Sequence, residues 1–444
     1  MKSKSTGALV LLLLLSSPML VGSATAKSTH KSSSPAPVLF WSTEARRAIV
    51  PPAAGPENFG NKFPGEAAVY MGIVHIAIYD TAVALDGGYQ PFLIAVKARP
   101  QTSEAAAIAT AAYDTLIGLQ PQLGLNADQQ AILDSDYASY MAGIPETKKK
   151  DAKAKADGTA LGEQVAAAVV AARTNDGREL NPTVADLNPP SPGPGVWQPN
   201  PTGTVLGLRL PGMKPLAIAS ASQFRPGSPN VPTSQAYADN LNQVEALGSA
   251  TSTDRTDAQT TQALFWTDHD IRMFNDAMLQ LAIAHNLDLV ETARMLAMAH
   301  VAGGDAMIGC FDAKFYYWNW RPFQAIPGAD TDGNPNTTAD PNWQPLRATP
   351  DFPEYPAAHA CHTSAVATAL TAFFGTDNVS ITLDSRVTGT THQFTSLQDI
   401  VTDVNWARVL AGFHYLSSSE TGSTLGNQVG QYVVTHDFQP TKHK

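Results

Sequence analysis

The sequence predicts an all-α protein: two helical bundles with long Pro/Gly-rich loops. Three observations carry that expectation. Apolar residues recur at helical spacing over long stretches; alternating strand patterns are nearly absent; and Pro- and Gly-rich runs break the helical text into two parts. At 444 residues the chain is long enough for one large domain or two ordinary ones.

The elements follow in order. Met1 to Lys4 is short and basic, Leu9 to Val21 is apolar, and Ala24 to Ala26 offers small residues for cleavage. This is the pattern of a signal peptide over residues 1–26, too short and too interrupted by Ser16, Ser17 and Pro18 to be an anchor. A secreted or periplasmic protein is expected, and no other stretch reads as a membrane span. Residues 27–65 read as a polar and Pro-rich N-terminal segment, disordered at its start. Residues 66–180 form a helical scaffold half, with helices from Glu66 to Leu85, Thr102 to Leu119 and Lys148 to Arg173. His75 and Asp80 lie within the first and read as a core histidine and a helix-packing acid. Asn175 to Gly177 stops the last. Residues 181–232 are too rich in proline for helix and read as a wrapping loop, docked by Trp197, Leu206, Leu208, Leu210 and Phe224. Residues 233–444 form the second half, with helices from Thr253, Asp270 to Leu287, Leu289 to Gly309, His359 to Phe374, Leu397 to Ala411 and Glu420 to Val434.

The net charge is −10, and loss of Lys2 and Lys4 with the leader deepens it to −12. No basic stripe offers phosphate-backbone contacts, so a nucleic-acid partner is not expected. Against that acidity, three short pieces gather cations and imidazoles. Lys314 and Arg321 are seven residues apart, two helical turns, which would put them on one face roughly 10 Å apart. Pro322 disfavours helix at Arg321 and leaves its guanidinium at a helix end. Pro356 precedes a helix whose first turn holds Ala358 and His359; free N–H groups there make an anion seat, and His359 can act as acid or base. Arg408 and His414 are six apart and would diverge on an unbroken helix, but Gly412 offers a break that turns His414 back. Each residue alone fits a solvated face, a cap or a core histidine. His359, Cys361 and His362 also allow a metal site, though no second ligand pair completes a tetrahedron. Cys310 and Cys361 sit beside these pieces, as a disulfide or as two buried thiols. Asp330 to Asn334 starts like a calcium loop, but Pro341 stands where the closing Glu belongs, so it reads as a turn-rich loop.

The order Lys314-x6-Arg321-Pro322, Pro356-x-x-His359, Arg408-x5-His414 resembles the superfamily of vanadium-dependent haloperoxidases and type-2 phosphatidic acid phosphatases. The text around Gly304 to Ala306, Trp320 to Pro322 and Phe352 to Pro356 looks like the haloperoxidase branch, with weaker likeness at Arg173 to Gly177, Pro194 to Trp197 and Phe265-Trp266. The resemblance implies that Lys314, Arg321, Arg408 and the N–H of Ala358 hold vanadate, or phosphate in the phosphatase reading. It implies that His414 is the axial vanadium ligand or the phosphatase nucleophile, that His359 is the acid–base partner, and that Phe352 lines the halide side. The implied substrates are hydrogen peroxide and halide, or a phosphate ester. A five-coordinate vanadate has the shape of an in-line phosphoryl-transfer transition state, so one cationic cradle serves either reaction.

Two departures matter. The family has Ser-Gly before the histidine and this chain has Ala357-Ala358, losing one donor worth roughly 1.5–3 kcal/mol. Ser418 stands where related motifs often carry an acid after the second histidine. A non-catalytic oxyanion binder is the third reading these departures allow.

Overall fold

The computed structural model describes residues 33–441; the signal peptide expected over residues 1–26 lies outside them. The first half comprises α1 (Ala36–Ile49), α2 (Pro64–Asp86), α3 (Glu104–Gly118), α4 (Ala127–Ala142) and α5 (Lys149–Ala172). The second comprises α6 (Gln235–Gly248), α7 (Asp257–Phe265), α8 (Asp270–Ala284), α9 (Leu289–Tyr317), the short α10 (Pro322–Ala325), α11 (Ala358–Phe374), α12 (Leu397–Leu410) and α13 (Leu416–His436). One antiparallel hairpin, β1 (Ile381–Ser385) with β2 (Thr390–Phe394), pairs Ile381 with Phe394 through Ser385 with Thr390. The molecule is helical, as the patterning predicts.

α9 is the axis. It is 29 residues long, nearly all of them buried, because it packs on α2 along one side and on α11 and α13 along another. α3 and α5 pair on the far side of α2, and α12 closes the second half over α11, α13 and α7. α2 is long and apolar enough to cross a bilayer, with a mean hydropathy of 1.6, which corrects the expectation that only the leader has that character. Its best window is 89% buried within the protein, so its apolarity serves the core.

Other differences have physical reasons. The segment 27–65 was expected to be a polar stretch, yet α1 buries Val38, Trp41, Ala45 and Ile49. Its start is also fixed, for the Ser33 hydroxyl lies 3.2 Å from Asp86 and 3.0 Å from Glu104. α4 escapes the periodicity argument because Leu133 is its one buried residue; its start is written in an Asn126–Gln129 capping box instead. α9 runs past the expected end at Gly309 to Tyr317, where Trp318 enters the left-handed region at φ 52°.

The 181–232 segment docks on the helical body at several points. Trp197 and Leu210 are buried, and Trp197 N–H donates to Trp318 O at 2.7 Å. Its firmest anchor is Asp305 on α9, fully buried, whose carboxylate accepts the successive N–H groups of Leu216, Ala217 and Ile218 at 2.6, 2.7 and 2.8 Å. Asp80 on α2 plays the same part for Phe92, Leu93 and Ile94, so it holds a loop where helix packing was expected. His75 is a core histidine as read, held by Met71 O and Ser42. Asp332 and Asn334 form a turn-rich loop, and the Asn334 amide ties it to Pro232 O and Ser234 O. Replacing Asp305 by Ala strands three backbone donors, one buried and two half-buried, that bonded a carboxylate. Asp305→Ala is therefore expected to lower unfolding free energy by about 3 kcal/mol in urea titration.

Candidate oxyanion site

Three loops converge at the end of α9, and each is shaped by a local signal. Lys314 lies on the last turn of α9. Arg321 is not on that helix: the left-handed Trp318 ends it, and Arg321 sits in extended conformation (φ −81°, ψ 155°) ahead of Pro322. The seven-residue spacing therefore does not set a common helical face; a chain reversal brings the two cations together. Their meeting is recorded at Phe352, whose ring centre is 4.9 Å from Lys314 Nζ and 4.6 Å from Arg321 Cζ.

Both cations are aimed by carbonyls of the loop before α11. Lys314 Nζ donates to Pro353 O and Glu354 O, each at 2.9 Å, and Arg321 Nε donates to Phe352 O at 2.8 Å. Arg321 Nη1 also donates to Phe413 O at 2.9 Å. Arg408, on the last turn of α12, is fixed by Trp266 O at 2.7 Å and lies over the Phe413 ring at 4.8 Å. Gly412, at φ 77°, breaks the chain after α12 as expected, and the N–H groups of Phe413 and His414 fold back to Arg408 O.

The His414 ring is held at both nitrogens. Nδ1 is 2.9 Å from Glu354 Oε1, and Nε2 is 2.8 Å from Arg321 Nη1. A guanidinium only donates, so Nε2 carries the lone pair and Nδ1 the proton, given to the carboxylate. Glu354 lies within the Phe352 to Pro356 stretch, where the sequence alone assigns it no role. Fully buried, it also accepts from Tyr415 N–H at 3.2 Å, Asn319 Nδ2 at 3.0 Å and Ser418 Oγ at 2.7 Å. The acid missing at position 418 is thus supplied from another segment, and Ser418 supports it. Four donors in one place were invisible in sequence because they come from two stretches, residue 319 and residues 414–418, both distant from Glu354.

Burial decides the electrostatics. It pulls Lys314 down to about 8 and, with Arg321, Lys314 and Arg408 nearby, holds His414 well below the usual imidazole range. Burial pushes Glu354 up, opposed by its Ser418 hydrogen bond and by Lys314 and Arg321. Burial, and next the Arg408 charge, lowers His359 to about 3, while Asp270 opposes. Asp270, fully buried beneath His359, is 3.0 Å from His362 Nδ1, so His362 faces a carboxylate. Among the described residues no group of three His, Cys, Asp or Glu is arranged to hold a metal ion. Cys310 and Cys361 are free buried thiols, with Cys310 Sγ 3.6 Å from Pro356 O.

Among the buried polar atoms of the described residues that have no partner are Arg321 Nη2, Arg408 Nε and His359 Nε2. The first-turn N–H groups of α11, at Ala358, His359 and Ala360, have no intrahelical partner by position. Three buried cations, one buried carboxylate and orphaned donors make a set that a tetrahedral oxyanion, vanadate included, would complete. A cavity of about 470 Å³ opens onto His359, Arg408 and Phe413, lined also by His269 and Asp268, which the sequence did not single out. Phe352, expected on the halide side, is 7% exposed and enclosed by the cations and Phe311.

This helical architecture is the fold of vanadium haloperoxidases. A solved bacterial vanadium-dependent iodoperoxidase superposes with a TM-score of 0.71 at 22% identity, covering 93% of this chain and 99% of that one. The holo form of a bacterial vanadium-dependent chloroperoxidase gives 0.66 at 16% identity, covering 92% and 98%. Residues 294–442, which hold all three site pieces, match the family model of the VCPO second helical-bundle domain. The resemblance to the vanadium haloperoxidase superfamily is thereby supported. No curated protein sequence matches.

Two outcomes follow for phosphate binding followed by calorimetry. A bound anion raises the lowered Lys314, so binding takes up a proton above pH 8. Affinity is expected to fall as pH rises from about 8 towards 10.5, a range in which phosphate keeps its own charge. Glu354→Gln removes the charge that fixes the His414 tautomer and is expected to weaken phosphate binding about tenfold or more.

Proposed function

We propose that the chain is an exported vanadium-dependent haloperoxidase-like enzyme that oxidises halide with hydrogen peroxide. The observation that carries this reading is the His414 ring, oriented by Glu354 so that Nε2 takes a hydrogen bond from Arg321 Nη1, with Arg321 Nη2 and Arg408 Nε buried without partners. Lys314, Arg321 and Arg408 would hold the oxygens of vanadate, with the Ala358 N–H at the start of α11. His414 Nε2 would ligate the vanadium. Bound vanadate supplies a Lewis acid that polarises peroxide without changing its own oxidation state.

The protein's own work is placement and proton transfer. Glu354 keeps the His414 proton on Nδ1 and away from the anion. His359, neutral in the free protein and facing the cavity, can take a proton from peroxide at Nε2 and return it to the departing oxygen. An anion on the cradle offsets the Arg408 charge and so raises His359 towards the range where it can do both. Ala357 is the N-cap of α11, where the resemblance has serine, and gives no hydroxyl to this exchange. Export rests on the leader read in residues 1–26.

The same nitrogen would suit a phosphatase nucleophile, so the test runs both reactions with and without added vanadate. The expected result is vanadate-dependent halogenation of a dye with peroxide and bromide or iodide, lost in His414→Ala and raised about tenfold in Ala357→Ser. Aryl-phosphate hydrolysis inhibited by vanadate, with no halogenation, would instead establish the phosphatase.

A further inference from the structure

A halide ion and hydrogen peroxide are each far smaller than the cavity of about 470 Å³ above His359. That volume falls in the range of sites for organic ligands. The cavity is a funnel. Ala53, Arg347 and Val387 at its rim are exposed, His359 is half-buried, and Arg408 at the floor is 3% exposed. Its walls are apolar and rigid, drawn from Pro51, Ala54, Pro64, Pro350 and Phe413.

The charges around it are one-sided. The carboxylate that faces it, Asp268, is already committed: Oδ2 accepts from Arg272 Nη2 at 2.8 Å and Arg386 N–H at 2.6 Å, and Oδ1 accepts from His269 N–H at 2.6 Å. Arg386 and Glu57 neutralise each other beside the hairpin. Arg347 has no ion pair or hydrogen bond among the described residues. In a chain of net charge −10, the mouth of this funnel thus presents a free cation above apolar walls.

We propose that the funnel seats the organic acceptor itself, an aromatic ring bearing a carboxylate. The ring lies against the proline and phenylalanine walls, the carboxylate pairs with Arg347, and the ring carbon to be halogenated points towards His359. This rests on the haloperoxidase reading. In the overall step the ring C–H bond is replaced by a C–halogen bond. The halide gives up two electrons, and peroxide accepts them; its O–O bond breaks to leave two waters, which take the ring proton and one from solvent.

The test compares 4-hydroxybenzoate with its neutral methyl ester on the full chain, with the oxyanion site saturated by phosphate. Calorimetry without peroxide is expected to show the acid binding about fivefold more tightly than the ester, as befits one exposed ion pair, and Arg347→Glu is expected to remove that preference. The same ratio should appear in kcat/KM for halogenation with vanadate. Triiodide formation from iodide and peroxide, with no organic acceptor, reports the underlying reaction separately. No triiodide overturns the peroxidase reading and the acceptor with it. Triiodide together with equal binding of acid and ester, or with a preference that survives Arg347→Glu, overturns the acceptor site alone.

Discussion

The site depends on Glu354 being a carboxylate beneath the His414 ring. Lys314, Arg321 and Arg408 are each at most 3% exposed, and concentrating three cations out of water is costly unless charge and hydrogen bonds compensate. Backbone carbonyls take part of that burden, at Phe352, Pro353, Glu354, Phe413 and Trp266. The Glu354 side chain supplies a full negative charge. It also joins Asn319 after α9, His414 after α12 and Ser418 on α13, so one group sets both the charge balance and the relative placement of three segments. A positive excess remains, with Arg321 Nη2 and Arg408 Nε left without partners.

The same chemistry recurs as a structural device. Asp80 and Asp305 are buried acids that each capture three consecutive backbone N–H groups from a loop crossing their helix. Burial pushes Asp305 up to about 6, while the three N–H groups and Arg173 favour the charged form. The wrapping segment needs such a hold because it has little regular secondary structure of its own, and it lies against the α9 exit from which Lys314 and Arg321 project.

Much of this was legible from residue patterns. The long apolar helices, the Gly412 break and the start of α11 at Ala358 follow from periodicity and from glycine and proline chemistry. The convergence of Lys314, Arg321, Arg408, His359 and His414 was legible only through the ordered motif, since each residue alone has a bland explanation. What stayed hidden was hidden for reasons of distance. Glu354 pairs with a ring sixty positions away, Asp270 lies under His359 from a different helix, and Trp318 has no sequence mark for its left-handed turn. α4 has too little apolar face to register, and α1 was obscured by its proline-containing surroundings.

α9 belongs to both halves at once: α2 covers one of its sides, α11 and α13 another. The stretch that matches the second helical-bundle domain begins inside α9, at residue 294, and leaves α2 behind. Excised on that boundary, it would present to solvent the strip that α2 shields, an invitation to self-association. The sequence module recognised by kinship is consequently smaller than the cooperative unit that folds, and any dissection of this protein has to cut elsewhere.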